Sequence, residues 1–217
     1  MGDPGVLRHL SQVKKRAARP KVDRPAMERA VADFIRAAGL DARDANLRQT
    51  PTRVTEAWAE EFLAGYGQTA REALADRFPV SKKSERELVV VTDLHFRSMC
   101  PHHLMPYSGT AHLAYVPGKE VVGFGRLSAL IDVFAHRLVL QEELSRQVAL
   151  ALQDELGTQG AACLIRAEQT CFRLRGEEQH GAVTYSEAYE GVLKEKALRA
   201  ELWHRIDRSA SGSKKNS

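Results

Sequence analysis

The residues best suited to chemistry in this 217-residue sequence lie in the segment Cys100-Pro101-His102-His103. A thiolate and an imidazole three positions apart in a tight loop can both face one zinc ion, because sulfur and nitrogen are ligands that zinc prefers. Cys171, much later in the chain, would join them if two pairs of strands lie side by side. Three protein ligands leave a fourth position open, which is typical of catalytic zinc.

The same residues also have an interpretation without metal. Cys100 and His103 could be a loop pair with no ion, and Cys171 a buried strand cysteine; the spacing leaves both interpretations open. Cys163 alternates with apolar neighbours and is predicted to fill the core. His102 either passes protons beside the metal near neutral pH or bonds to the backbone of its own loop.

Two further groups of polar residues have both a chemical and a structural interpretation. Gln141-Glu142 begins a predicted helix, where the helix dipole alone favours a carboxylate. If it is buried, Glu142 can also accept two parallel N–H bonds from a planar edge such as that of guanine. Arg126 and Arg175 carry fixed positive charges that suit phosphate, whereas surface ion pairing is the simpler explanation of lone arginines.

An α+β core is predicted to position these residues. Strands are indicated by a period of two and by Pro117-Gly118 at a turn, and helices by apolar residues near every 3.6 positions. The predicted elements are strands at 88–96, 110–116 and 120–124, helices at 126–138 and 141–156, strands at 161–173 and 182–190, and a helix at 194–207. Strands, two helices and strands in this order predict an antiparallel sheet.

The remaining chain divides into a helical region and two ends. Residues 23–80 are predicted to be helical, with Asp23 and Pro25 at the first start, a second helix from Thr50-Pro51, and a short piece at 69–77. The core is expected at 86–207, after a solvated loop. Residues 1–22 are predicted to be a flexible basic segment and 208–217 a disordered tail.

Composition excludes several classes of protein. The net charge is +4, from 32 Lys plus Arg and 28 Asp plus Glu, and aromatic residues are only 6%, which is poor material for stacking on bases. We therefore expect no nucleic acid partner and solvated basic ends. No apolar run approaches the roughly 18 residues of a membrane span, so no membrane partner is expected. An odd number of cysteines and a start without an apolar signal segment predict a cytoplasmic protein.

Taken together, these residues resemble the GTP cyclohydrolase I family over about residues 25–195. The matching segments are LRQTPTRVTEAWAEEFLAGY (47–66), CPHHLMPYSGTAHLAYVP (100–117), RLSALIDVFAHRLVLQEEL (126–144) and CFRLRG (171–176). They follow one another in the family's order, which makes the resemblance more specific than any single segment.

The resemblance implies a tunnelling fold, in which a ββααββ core has an antiparallel sheet with helices on one face and an N-terminal helical extension. It implies a homo-oligomer, a decamer, with active sites at the subunit interfaces. The implied reaction is the zinc-dependent opening of the imidazole ring of GTP at C8, with release of formate and formation of 7,8-dihydroneopterin triphosphate.

By position, the resemblance also implies the role of each candidate residue. These roles are Zn²⁺ ligation by Cys100, His103 and Cys171, protonation of the purine N7 by His102, guanine recognition by Glu142 with Gln141, and triphosphate binding by Arg126 and Arg175.

Several positions depart from the pattern of the family. Gln169 stands where the family has a proton-transferring histidine, and glutamine cannot carry a proton near pH 7. Gly125 stands in place of a serine, Ala129 in place of a phosphate-binding arginine, and Pro101 in place of a glutamate. The implied zinc ligands and the carboxylate implied to bind guanine are thus kept. In contrast, the residues for proton transfer and for triphosphate binding are fewer than in the family.

Two alternative functions follow from these departures. The chain could be a divergent paralogue that stops at a ring-opened formamide or uses a less phosphorylated guanine compound. It could instead be a non-catalytic zinc-binding subunit of the same fold. The product could feed folate, biopterin or deazapurine synthesis, and the sequence leaves these pathways open.

Overall fold

A computed structural model describes residues 22–81, 87–175 and 181–213 of the chain. The predicted flexible segment 1–22 lies outside this range up to residue 21, and residues 214–217 of the predicted tail also lie outside it. Among the helices in the described ranges, none has both the length and the apolarity required to cross a membrane.

The N-terminal region consists mainly of helices. Helix α1 spans Arg24–Ala37; the Asp23 side chain accepts a hydrogen bond from the Ala26 N–H at its start (3.0 Å). Helix α2 spans Thr50–Ala57 and continues as a π-helical turn, Trp58–Phe62, and a 3₁₀ turn, Ala64–Gly67. Helix α3 spans only Ala70–Ala73, shorter than the predicted piece at 69–77, because strand β1 follows at Arg77–Pro79.

The main sheet has four antiparallel strands in the order β2-β3-β5-β6. Its strands are β2 (Val89–Met99), β3 (Pro106–Val116), β5 (Gly160–Gln169) and β6 (Thr184–Gly191). The two predicted strand pairs are therefore neighbours through β3 and β5. Gly109 in β3 faces Ala167 in β5, and a Cβ at Gly109 would lie 2.0 Å from the backbone oxygen of Arg166. Only glycine allows this close approach of the two strands.

Strand β4 (Glu120–Val122) does not join the main sheet. It pairs with β1 in a separate two-stranded antiparallel sheet, with Phe78 opposite Val121. The pairing attaches the end of the N-terminal region to the residues immediately before the first core helix.

Two helices cover one face of the main sheet, as predicted. Helix α4 spans Phe124–Ala135 and helix α5 spans Gln141–Leu156, which ends at Gly157 in the left-handed conformation (φ 63°). Their buried apolar residues pack against the inward side chains of the strands; this core includes Leu127, Leu130, Phe134, Leu144, Val148, Leu152, Leu113, Cys163 and Ile165. Burial of Cys163 confirms its prediction as a core residue.

The last helix, α7 (Lys196–Ser213), packs on the opposite face of the sheet, after a 3₁₀ turn at Val192–Lys194. Leu202 and Ile206 of α7 are buried against Ala114 and Leu164. Helices therefore lie on both faces, rather than on one alone, because the outward side chains of β3 and β5 are themselves apolar here. The helix also continues beyond residue 207, so the range 208–213 is helical and the prediction of a disordered tail is wrong there.

Candidate active site

The first part of the site is the turn that joins β2 to β3. Cys100 follows the last residue of β2 and is only 5% exposed. Its N–H donates to the Met105 carbonyl, and its own carbonyl accepts from the Leu104 N–H, both at 2.9 Å. Leu104 adopts a left-handed conformation (φ 52°) to close this turn. The turn holds Cys100 and His103 on one side, with Cys100 Sγ 3.8 Å from His103 Nδ1.

The second part of the site is Cys171, which lies in a one-turn helix, α6 (Thr170–Arg173). The prediction of a strand through residue 173 is wrong, because β5 ends at Gln169, which faces Tyr107 in β3. The Thr170 hydroxyl then donates to the Pro106 carbonyl and holds the helical turn against the start of β3. This connection brings Cys171 to the Cys100 turn.

The ligand atoms of Cys100, His103 and Cys171 all lie within 4.8 Å of one another. In tetrahedral zinc sites, bonds of about 2.0–2.3 Å place neighbouring ligand atoms about 3.5–3.8 Å apart, so small side-chain rotations suffice to close this group on an ion. Within the described ranges, no other set of three His, Cys, Asp or Glu residues comes together in this way. The donor set and its geometry therefore fit zinc.

The electrostatics of the two thiols also favour a cation between them. Partial burial raises the pKa of the Cys171 thiol, and the adjacent Cys100 raises this pKa further, whereas Arg175 acts in the opposite direction. The Cys171 thiol therefore loses its proton less readily here unless a positive charge lies nearby. A divalent ion held by this group would supply that charge and favour the thiolate of Cys171.

His102 lies beside the group but outside it. Its ring centroid is 6.3 Å from that of His103 and the two ring planes are nearly perpendicular (89°). His102 is exposed. Its ring is thus not a ligand in this arrangement and is open to a bound molecule.

Gln141, the first residue of α5, is 4% exposed and has its whole side-chain amide bonded inside the chain. Its Nε2 donates to the Ile165 carbonyl (3.3 Å) and to the Thr184 carbonyl (3.2 Å). Its Oε1 accepts from Gln169 Nε2 (2.8 Å) and from the Thr184 hydroxyl (2.5 Å). This amide is occupied in joining α5 to β5 and β6, which does not favour its predicted contact with guanine.

Glu142, the next residue, is exposed in the first turn of α5. Its charge reaches Tyr107, the residue of β3 that faces the end of β5. Burial is the main cause that raises the pKa of Tyr107, and Cys100 and Glu142 both add to it. The Tyr107 hydroxyl donates to the Val139 carbonyl (3.0 Å) just before α5 and so fixes the start of this helix.

The two arginines predicted to bind phosphate lie in different surroundings. Arg126, in the first turn of α4, forms an ion pair with Asp76 and lines a cavity of about 430 Å³ together with Phe78, Gly123 and Gly125. Among the described residues, no metal ligand lines this cavity. Arg175 is exposed and lies close enough to Cys171 to affect its pKa.

Three contributors to the site were not predicted from the sequence. Asp76 pairs with Arg126 across 50 positions, Thr184 bonds to Gln141 across 43 positions, and Tyr107 fixes the loop before α5. No periodicity signals the first two contacts. The signal for Tyr107 is an aromatic hydroxyl just before the second predicted strand, which must find a partner when it is buried.

Comparison with known proteins places these features in a family. The family model described as GTP cyclohydrolase I matches residues 27–207. "GTP cyclohydrolase 1" of Leifsonia xyli subsp. xyli is 40% identical over 180 residues, which cover 83% of this chain and 93% of that protein. The protein of the same name from Streptococcus sanguinis is 39% identical over 183 residues, or 84% and 97% of the two chains.

A third relative, "GTP cyclohydrolase 1" of Chromobacterium violaceum, is 41% identical over 159 residues, which cover 73% of this chain and 75% of that protein. The family match extends over most of the N-terminal helical region, the main sheet and both segments of the metal-ligand group. The chain belongs to the GTP cyclohydrolase I family.

Proposed function

We propose that this chain is a zinc-dependent hydrolase that opens the imidazole ring of GTP at C8, releases formate and forms 7,8-dihydroneopterin triphosphate. The observation that carries the proposal is the meeting of Cys100, His103 and Cys171 within 4.8 Å, in a chain of the GTP cyclohydrolase I family. In a site with three protein ligands, Zn²⁺ activates water as a nucleophile near neutral pH.

His102 is the proposed acid–base residue. An exposed imidazole next in sequence to a metal ligand can donate a proton to the purine N7 and take it back near neutral pH. Its ring, 6.3 Å from that of His103, lies at the border of the metal-ligand group and the solvent. This placement supports proton transfer to a substrate that covers the group.

Glu142 is the proposed reader of guanine. Its exposed carboxylate can accept the N1–H and 2-amino N–H of the base in two parallel bonds. Gln141 contributes indirectly, because its buried amide holds the start of α5 on the sheet. We therefore assign recognition to Glu142 and support of Glu142 to Gln141.

Arg126 and Arg175 are the proposed phosphate-binding residues. Both have permanent charge, and Arg175 lies beside the metal-ligand group. Arg126 is partly neutralised by Asp76, and Gly125 and Ala129 add no charge nearby. The affinity for a triphosphate is thus expected to be lower than two unpaired arginines would provide.

We also propose that the protein is a homo-oligomer, a decamer by family resemblance, with active sites at subunit interfaces. Among the described residues, β2 and β6 are the edge strands of the main sheet, and strands of neighbouring subunits could pair with their outer edges. Phe172 and Leu174, on either side of the Arg173 position, are 52% and 74% exposed next to Cys171. Apolar side chains at this point favour burial against a second subunit.

The decisive experiment is to incubate the zinc-loaded protein with GTP, GMP and guanosine, and to identify products by mass spectrometry. We expect formate and the dihydropterin triphosphate from GTP. A zinc-loaded protein that releases no formate from any of the three compounds would contradict the proposal and favour a non-catalytic subunit. Light scattering on the same sample gives the number of subunits.

One observation favours a second candidate function within the same family. Gln169 stands near Cys171, donates its amide to Gln141 and has no group that titrates near pH 7. A site with this residue could open the ring but stop at the formamide, or act on a less phosphorylated guanine compound. An accumulated ring-opened product, or turnover of GMP alone, would identify this candidate.

A further inference from the structure

The side chains of Gln141 and Gln169 form a direct amide–amide contact between a helix and a strand end. Gln169 Nε2 donates to Gln141 Oε1 at 2.8 Å, within ordinary hydrogen-bond distance. Gln169 is the last residue of β5, where β6 no longer runs alongside, because the β5–β6 pairing stops at Ala167 and Thr184. The side chain of Gln169 thus connects the strand end to its surroundings where the backbone ladder has ended.

The contact completes the hydrogen bonding of a buried amide. An amide side chain has two N–H donors and two acceptor sites on its oxygen. In Gln141 both donors are taken by carbonyls of β5 and β6, and both acceptor sites by Gln169 and Thr184. Because every donor and acceptor is used, a 180° rotation of the Gln141 amide would break all four hydrogen bonds. The orientation of this amide is therefore fixed.

Each partner in this contact lies next to a proposed functional residue. Gln169 is two positions before Cys171, and the intervening Thr170 is bonded to Pro106. Gln141 is one position before Glu142. The contact therefore joins the segment that carries a metal ligand to the helix start that carries the guanine reader.

We propose that Gln169 is a positioning residue that holds Cys171 in register with Glu142 through Gln141, an inference that rests on the proposed metal site. When this contact is removed, the helical turn that carries Cys171 keeps the Thr170–Pro106 bond and the ion pair of Arg173 with Glu168, neither of which reaches helix α5. Cys171 then spends less time within reach of Cys100 and His103. The affinity for zinc falls while the ligands themselves are unchanged.

The test is the zinc affinity of the full-length protein, measured by competition with a chromophoric chelator. Gln169→Leu keeps the size of the side chain and removes the hydrogen bond. We expect its zinc dissociation constant to rise roughly tenfold, as is typical when a group that orients a metal ligand is lost. In Co²⁺-substituted protein, the sulfur-to-cobalt charge-transfer band should weaken or shift, because Cys171 no longer holds one position.

Two matched variants separate positioning from general loss of stability. Gln147→Leu makes the same replacement in α5, where Gln147 bonds only to Glu143 among the described residues, and should leave zinc affinity within twofold. Thr184→Val removes the other bond to Gln141 Oε1 from the β6 side but keeps the contact between Gln169 and Gln141. Its cobalt spectrum should change less than that of Gln169→Leu.

Gln169→Asn provides a second variant if Gln169→Leu does not fold, since the shorter amide cannot reach Gln141 and should weaken zinc binding similarly. Zinc affinity of both Gln169 variants within twofold of the wild type would overturn the inference. A wild-type protein that binds no zinc would overturn both this inference and the proposed function. Weakened zinc binding in Gln169→Leu, together with a wild type that binds zinc but opens no purine, would support the inference and reject the function.

Discussion

The metal-ligand group and the cavity at Arg126 are held in place by different kinds of interaction. The group depends on buried neutral hydrogen bonds, above all those of Gln141, which is 4% exposed. The cavity depends on one ion pair between Arg126 and Asp76, whose side chains are 41% and 64% exposed. The buried hydrogen bonds of Gln141 are insensitive to salt, and the loss of one partner leaves a buried polar group unpaired. The exposed ion pair of Arg126 and Asp76 is screened by salt, and its side chains are free to move.

This difference indicates which part of the chemistry is fixed. A ring-opening site needs its ligands and its base reader in one arrangement, and the buried network supplies it before any substrate arrives. A flexible polyphosphate tail needs only positive charge within reach, which an exposed arginine provides. We therefore expect the protein to select the guanine base strictly and to accept substrates with different numbers of phosphate groups.

The largest effect is expected when the metal-ligand group itself is broken. Cys171→Ser should lose zinc and reduce activity to background, because two remaining ligands do not hold the ion. Metal content by atomic emission and formate release check both results. Cys163→Ala is the control, since Cys163 is buried in the core and should leave zinc stoichiometric. Full zinc in Cys171→Ser would show that the third ligand is another residue.

A second change tests whether Glu142 recognises the guanine base. Glu142→Gln should raise the KM for GTP roughly tenfold or more, because one charge-assisted pair of bonds to guanine is lost. Glu143→Gln is the matched control, because Glu143 is the adjacent carboxylate of the same helical turn and its Oε2 accepts from Arg146 (2.8 Å). Steady-state kinetics with GTP give the KM of each variant. Equal effects of the two variants would reject Glu142 as the reader.

A third change asks whether the neutral network limits proton transfer. Gln169→His introduces a group that titrates near neutral pH and can still donate one hydrogen bond towards Gln141. The ratio of pterin to ring-opened formamide should rise a few-fold, well below the full effect of a general acid, about 100-fold or more. Chromatography of the products measures this ratio. An unchanged ratio would mean that proton transfer at this position is not limiting.

The smallest effect is expected at the exposed ion pair. Asp76→Asn frees Arg126, and asparagine tolerates the left-handed conformation of this residue (φ 59°). The KM for GTP should fall about two- to threefold at low salt, and this gain should vanish at high salt. Guanosine, which has no phosphate, is the control substrate. The same change with guanosine would rule out an effect through phosphate.

The periodic elements of the fold could be predicted from the sequence, and the contacts between them could not. Helix α5 was expected at 141–156 and spans Gln141–Leu156, because its apolar residues repeat regularly and Gly157 ends it. The alternation that continues to residue 173 predicts a strand at Cys171, whereas Thr170 bonds to Pro106 and the chain forms a helical turn there.

The site shows the same division. Residue type and spacing predict Cys100, His103 and Cys171 as one group, and their ligand atoms lie within 4.8 Å of one another. Gln141 was predicted to touch guanine, because a sequence does not reveal which polar groups are buried and already bonded. The pairing of Asp76 with Arg126 depends on the small β1–β4 sheet, whose two strands are too short to give a periodic signal.

The absence of a side chain at residue 109 has a consequence for metal binding far from any ligand. Gly109 lets β3 and β5 approach at its pair with Ala167, two positions along the sheet from the pair of Tyr107 and Gln169, beside which the Cys100 and Cys171 segments lie. A methyl group at residue 109 would push these two strands apart and move the Cys100 and Cys171 segments away from each other. Replacement of Gly109 would then weaken zinc binding, although residue 109 is not a member of the metal-ligand group.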